Sequence, residues 1–344
     1  MRVGMIGFGG IAHAHAPGWT QQDVDLHIVD IDAEARAEAA RSVPTATVHT
    51  DLESLLGAVD VVDIVTPSYT HADLARQCAR AGKQVICEKP IALTINDAAD
   101  ALRVVRDAGV SLHVGHVVRF FGEYAAAHAQ VAAGALGTPA VSHFRRASAQ
   151  PVRNTWMRDV KLSGGVPFDL AIHDLDQARW TSGEVTRVYA VSGKPGVGGI
   201  DTHIYAVLTH ESGALSHITS SWGLAEGFET SFEIAGTEGL VAFDSTAHPP
   251  VRADRPELLS AAGLLPVMVG DSPFETELAE FARAIKGGAP ARVTPADALA
   301  AVALAAAVLE SLATGRPVDV PPVPDDLRDT ARPAEQTESA RGTW

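Results

Sequence analysis

Up to about residue 118, short apolar runs alternate with longer amphipathic stretches. Arg2–Ile6, Leu26–Val29, Val61–Val65, Gln84–Cys87 and Ser111–Val114 read as buried strands, and Ala33–Arg41, His71–Ala81 and Asn96–Asp107 as helices between them. Strands spaced by helices of this length predict βαβ units and a parallel sheet covered on both faces. Asp63 breaks the pattern, because it interrupts VVDIV where a buried strand should be apolar. Beyond residue 119 the period changes. A helical stretch to about Ala133 precedes a strand-like Thr138–Ala147 and a helix near Asp169–Trp180. Strand-like runs follow at Val185–Val191, His203–Thr209, Ala214–Trp222, Thr230–Ala235 and Leu240–Phe243, with SG and EG turns that suit hairpins of an antiparallel sheet. Helices at about Glu275–Lys286 and Pro295–Thr314 are expected to cover that sheet. From Pro321 the chain is Pro-rich and polar and reads as a loose tail. The expected organisation is α/β throughout: a parallel-sheet domain over 1–118, a second α/β domain with a mainly antiparallel sheet over 119–320, and a tail over 321–344.

A length of 344 residues agrees with two domains, and 46% hydrophobic with 20% charged residues is ordinary for a globular chain. The balance of 27 Lys and Arg against 42 Asp and Glu gives −15, which disfavours duplex nucleic acid and anionic membranes as partners. The longest apolar run, Ala298–Leu309, is 12 residues between Asp297 and Glu310, whereas a spanning helix needs about 20. Cys78 and Cys87 are too few for a disulfide framework and lack metal-ligand spacing, so two free thiols in a reducing cytoplasm are expected. Glycines interrupt the N-terminal MRVGMIGFGG, which carries no export-signal pattern.

The first chemistry lies in GFGGIA, residues 7–12, between the first strand and a helix. Gly7 permits a tight turn, and Gly9 lets backbone approach a pyrophosphate. Ala12 allows close helix packing, and the helix N-terminus favours phosphate charge. Phe8, Gly10 and Ile11 complete this cofactor-binding turn. Asp30 ends the second strand 23 residues after Gly7, where a carboxylate accepts ribose hydroxyls and repels a 2′-phosphate. With no arginine in Ile31–Ala35, NAD is expected over NADP. Asp32, one turn on, reads as a helix N-cap.

CEKPIA, residues 87–92, ends a strand at the edge where α/β sheets bind ligands, so Glu88 and Lys89 are expected to face the cofactor crevice. Pro90 biases Lys89 toward extended backbone. A lysine beside a nicotinamide cation could handle protons near neutrality; on chemistry alone, a surface lysine after a strand stays open.

GFGGIA, VTPSYTH (65–71), CEKPIA and GGVPFDLAIHDLD (164–176), together with ATGRPV near the end, resemble the Gfo/Idh/MocA oxidoreductases over about residues 1–320. The resemblance implies a Rossmann domain, then an α/β domain whose large open sheet often mediates dimers or tetramers. It also implies NAD(P)-linked oxidation or reduction of sugars and cyclic polyols. By position, Lys89 matches the family's active-site lysine and Glu88 the acid before it. Thr66, Pro67, Ser68 and His71 match the loop lining the nicotinamide and ribose. Asp169 and His173 match its D-x-x-x-H pair. Gly122 stands where relatives usually carry proline, which leaves a substrate role for Arg119 open.

Read from the residues, Asp169 and His173 lie four apart on a helix, about 40° around it, and can face one cleft. Histidine suits acid/base work at neutral pH, and a nearby carboxylate fixes its tautomer. An N-capping aspartate beside a packed histidine is the alternative. Asp174 and Asp176 on the same helix give no closed ligand set, so no metal is expected. His13 and His15, after the glycine turn, read as solvated or phosphate-side. His116 and Arg119 sit at the domain junction, where either could touch substrate. Arg145 and Arg146 point to opposite sheet faces, so at most one reaches the cleft, and Arg145 is assigned there. Trp156 either stacks on a sugar ring or packs in the core.

These readings converge on an NAD-dependent dehydrogenase for a sugar, inositol or related polyol; the resemblance implies a homodimer or homotetramer. His173 would take the hydroxyl proton, Lys89 would bind the same hydroxyl, and Asp169 would orient His173. Whether Lys89 or His173 is the formal base stays open. The rivals are a non-catalytic NAD-binding regulator and a glycoside hydrolase that oxidises its sugar transiently and keeps its NAD.

Overall fold

The structure, a computed structural model, describes residues 1–151, 155–193, 201–224, 227–247 and 272–328. Six parallel strands form the first sheet: β1 (Arg2–Ile6), β2 (Asp25–Val29), β3 (Thr47–His49), β4 (Val61–Ile64), β5 (Gln84–Glu88) and β6 (Leu112–Gly115), in the order β3-β2-β1-β4-β5-β6. Strand β3 has no counterpart in the sequence reading, since its three partly exposed residues make no apolar run. The order reverses between β1 and β4, and the crevice outside their carboxyl ends is where such sheets bind ligands.

The second sheet contains β7 (Pro139–Ala149), β8 (Val185–Ser192), β9 (His203–His210), β10 (Leu215–Leu224), β11 (Phe228–Gly236), β12 (Leu240–Asp244) and β13 (Val318–Asp319). Its order is β12-β11-β7-β10-β9-β8-β13. Only β7 and β10 pair in parallel; the other pairs are antiparallel. One face is covered by the helices Ile172–Ser182 and Pro295–Thr314. The other leaves Val141, Tyr189, Val191, Tyr205 and Leu215 exposed.

Two elements differ from expectation. The helix Pro273–Ile285 does not cover the second sheet. It returns to the first domain, where Leu278 and Phe281 join the cluster of Val3, Met5, Phe8 and Trp19. Gly18 allows the contact, since a Cβ there would stand 2.9 Å from Leu278 Cδ1. The stretch 321–328 is not loose either. Asp325–Arg328 forms a helical turn, Leu327 is fully buried, and Asp326 pairs with Arg103 and Arg106.

Helix Pro295–Thr314 has the length and apolar composition to cross a membrane, but 67% of its most apolar 18-residue window is buried in the fold. Its alanines let it lie close between β8 and the helix Ile95–Asp107. Thr294 and Asp297 close its start with a reciprocal capping box.

Candidate active site

Gly7 turns the chain out of β1 at φ +99° and donates its N–H to Val29 O at 2.8 Å. A Cβ there would meet Val65 O and Thr66 Cγ2 at 3.0 Å, whereas at Gly9 and Gly10 it would meet nothing within 4 Å. The backbone is therefore open on the side from which a pyrophosphate would approach, just before the helix Ala12–Thr20. Asp30 Oδ2 accepts the Phe8 N–H at 2.7 Å and Oδ1 accepts the Asp32 N–H at 2.8 Å. Each oxygen keeps a lone pair for a ribose hydroxyl. Arg36, just beyond Ile31–Ala35, donates to the carbonyls of Asp30 and Ile31. A cleft of about 540 Å³, lined by Phe8, Gly9, Gly10, His13, Glu34 and Glu38 among others, opens beside the turn. The Phe8 ring is itself buried, and Ile11 packs partly into the core. These residues fit a dinucleotide.

Lys89 follows β5, and its peptide bond to Pro90 is cis. Its Nζ donates to the Asp169 carbonyl at 2.7 Å and lies 3.5 Å from Asp169 Oδ1. Residues 167–171 form a π-helical turn that runs into the helix Ile172–Ser182. Such wide turns recur at functional sites. The turn alters the regular helical projection, and the Asp169 carboxylate meets Lys89 and the Trp222 indole, which donates at 3.2 Å, rather than His173. The expected orientation of His173 by Asp169 is thereby corrected: His173 Nδ1 is buried with no hydrogen-bond partner among the described residues. Burial, then Lys89, Arg146 and His116, hold the His173 pKa well below its ordinary value, so the imidazole is neutral at neutral pH. Trp222 escaped the sequence reading, although Ser216, Ile218 and Ser220 alternate with it along β10 on the covered face.

Other assigned residues are occupied elsewhere. His71, expected at the cofactor, is buried, with Nδ1 2.8 Å from Pro90 O and Nε2 2.7 Å from Thr66 O. It ties the two cofactor-side loops together. Thr66 Oγ1 meets Thr70 Oγ1 at 2.6 Å, which closes the Pro67–Ser68 turn from inside. Glu88 does not face the crevice; it is 5% exposed and bound to His15 and to the Lys89 N–H. Arg119 is no substrate ligand: it is 1% exposed and forked onto Asp176, with further bonds to Asp297 and Arg292 O. Arg145 lies on the open sheet face with Glu229, pointing away from Lys89, while Arg146 pairs with Asp174 on the covered face. Trp156 is half-buried and stands edge-on to the exposed Tyr69, their centroids 6.1 Å apart.

His15 is neither solvated nor at a phosphate. It sits 1% exposed between Asp63 and Glu88, and Asp63 also accepts the Trp19 indole at 2.7 Å, which explains the acid inside β4. Donor atoms of His15, Glu88 and Glu277 lie within 4.8 Å of one another, a spacing a metal ion could span. Here, however, both His15 nitrogens already face carboxylates.

A parallel sheet with a glycine turn and ribose-binding acid, joined to an α/β domain that brings an aspartate onto a strand-end lysine, defines a two-domain dinucleotide-binding oxidoreductase. The chain belongs to the Gfo/Idh/MocA family of oxidoreductases, and NAD is its cofactor. Residues 1–116 match the oxidoreductase family with an NAD-binding Rossmann fold, and 124–242 match the GFO/IDH/MocA C-terminal domain. Inositol 2-dehydrogenase of Rhizobium meliloti is 32% identical over 338 residues, covering 93% of this chain and 99% of the relative. Myo-inositol 2-dehydrogenase of Thermotoga maritima is 29% identical, covering 92% and 98%. Among solved structures, GenD2 from gentamicin A biosynthesis in complex with NAD superposes with a TM-score of 0.84 at 27% identity, covering 93% and 96%. Levoglucosan dehydrogenase in complex with NADH gives 0.81 at 25%, covering 94% and 100%.

Proposed function

We propose that this protein is an NAD-dependent dehydrogenase that oxidises a ring hydroxyl of an inositol, sugar or related polyol. The observation that carries the reading is Lys89 Nζ held against Asp169, with His173 one turn along, at the strand ends beside the glycine turn. NAD, when bound, supplies the hydride acceptor. The Lys89 ammonium binds the substrate hydroxyl oxygen and stabilises the negative charge that develops there. The neutral His173 imidazole takes the hydroxyl proton. Asp169, fixed by the Trp222 indole, keeps the ammonium at that position. The inositol and levoglucosan dehydrogenases among the relatives support this substrate class.

Asp30 favours NAD over NADP, because its carboxylate opposes a 2′-phosphate while the Arg36 guanidinium is held on backbone carbonyls. Comparable kcat/KM with NADP would sink that claim. The boundary near residue 118 separates the cofactor domain from the substrate domain, the protein is cytoplasmic, and the open sheet face joins subunits. The test of function is an NAD-reduction screen over inositols, aldoses, uronates and their lactones, with Lys89→Ala as control. NADH formation that Lys89→Ala abolishes supports the reading. Tight NAD binding with no turnover of any substrate would favour the regulator, and sugar release without net NADH the hydrolase.

A further inference from the structure

Beneath Lys89 lies a chain of buried polar groups that the proposed reaction does not use. On the helix Ala12–Thr20, His15 places Nδ1 2.9 Å from Asp63 Oδ2 and Nε2 3.1 Å from Glu88 Oε1. Carboxylates on both sides call for N–H donors at both nitrogens, and Asp63 and Glu88 hold the imidazolium against the cost of burial. Trp19 donates to the same Asp63 oxygen from the next turn of the helix. The second Glu88 oxygen accepts the backbone N–H of Lys89 at 3.0 Å. Gly115 on β6 leaves room for this carboxylate, since a Cβ there would stand 3.1 Å from Glu88 Oε1. Glu277, fully buried, closes the cluster; burial and Glu88 push its carboxyl well up.

Buried ion networks of this kind are often no more stable than well-packed apolar side chains. This one is placed at the backbone of the lysine that meets Asp169. We propose that His15, locked by Asp63, is a positioning residue for Lys89: it holds the Glu88 carboxylate, which holds the Lys89 amide and so sets where the ammonium stands. The coupling runs from the helix after the glycine turn to the reactive lysine, and its catalytic consequence rests on the function proposed above.

The test uses the full chain with NAD bound and two variants, His15→Gln and Asp63→Asn. Acylation of Lys89 by an N-hydroxysuccinimide ester is followed by peptide mass spectrometry, with Lys83, Lys161 and Lys286 as internal references. Lys89 should react about 10-fold faster in both variants, with the reference lysines within about 2-fold, because a small displacement frees it from Asp169. On a substrate found by the screen, kcat should fall at least about 10-fold while KM for NAD holds. Wild-type protein with ¹⁵N-labelled histidine should show both His15 nitrogens protonated at pH 7.5, a readout that survives if the variants fail to fold. Unchanged protection of Lys89 overturns the proposal, as does a parallel rise at all four lysines, which would mark a folding role alone. A neutral His15 tautomer, or one equivalent of bound transition metal in the purified protein, also overturns it. If no substrate is turned over, the functional reading fails while the labelling and the spectrum still decide this one.

Discussion

At the residue scale, the site turns on how its surroundings charge and aim three side chains. Lys89 and His173 should be separable from cofactor binding, because the glycine turn and Asp30 lie on other strands. Lys89→Ala and His173→Ala are expected to keep NAD affinity within a few-fold, while turnover falls by about 10² to 10⁴. The double variant should lose much less than the product of the two, since both act on one proton transfer. NAD titration by fluorescence beside kcat for each variant checks this. A near wild-type rate for His173→Ala would remove it from the mechanism. The pH dependence follows from burial and from Lys89 and Arg146, which hold His173 neutral. A base works deprotonated, so activity is present above its lowered pKa and is lost only as pH falls through it. The acid limb of kcat/KM should therefore lie below the ordinary histidine value of about 6.5. A limb at or above that value would show that another group titrates.

At the element scale, the turn after β1 and the π-helical turn at Pro167–Ala171 place the chemistry. Gly7→Ala would force φ +99° on a residue with a Cβ and push that atom to 3.0 Å from Val65 O. The cost should be about 1–3 kcal/mol of stability, with NAD binding weakened further because the turn itself shifts. Urea unfolding and NAD titration read the two effects, and an unchanged affinity would show that the turn does not set the cofactor site. GFGGIA was legible because the glycine turn is a local device. The π-helical turn was not legible: D-x-x-x-H reads as a regular helical pair, and only packing sends Asp169 to Trp222 on β10, 53 residues away in sequence.

At the scale of the whole molecule, the second sheet leaves Tyr189, Val191, Tyr205 and Leu215 exposed on one face. The subunit contact proposed above would cover this face. Wild-type protein should run as a dimer or tetramer in light scattering, and Tyr205→Glu with Val191→Lys should shift it toward monomer without loss of secondary structure. A monomeric wild type would refute the assembly. The returning helix Pro273–Ile285 carries a further consequence, since Glu277 enters the His15 cluster from a segment far along the chain.

The alternation of strands and helices, the glycine turn, the acid at Asp30 and the lysine after β5 are all legible along the chain. Each of these is set by short-range periodicity or by a local backbone requirement. Tertiary structure alone decided which charged residues serve the site. Arg119, Arg146, Asp174 and Asp176 look as chemically able as Lys89, yet they are spent on buried ion pairs. Asp63 looks like an error in a buried strand until Trp19 and His15 are folded onto it. A buried polar group must find its partner across the fold, and spacing along the chain does not say which partner that is.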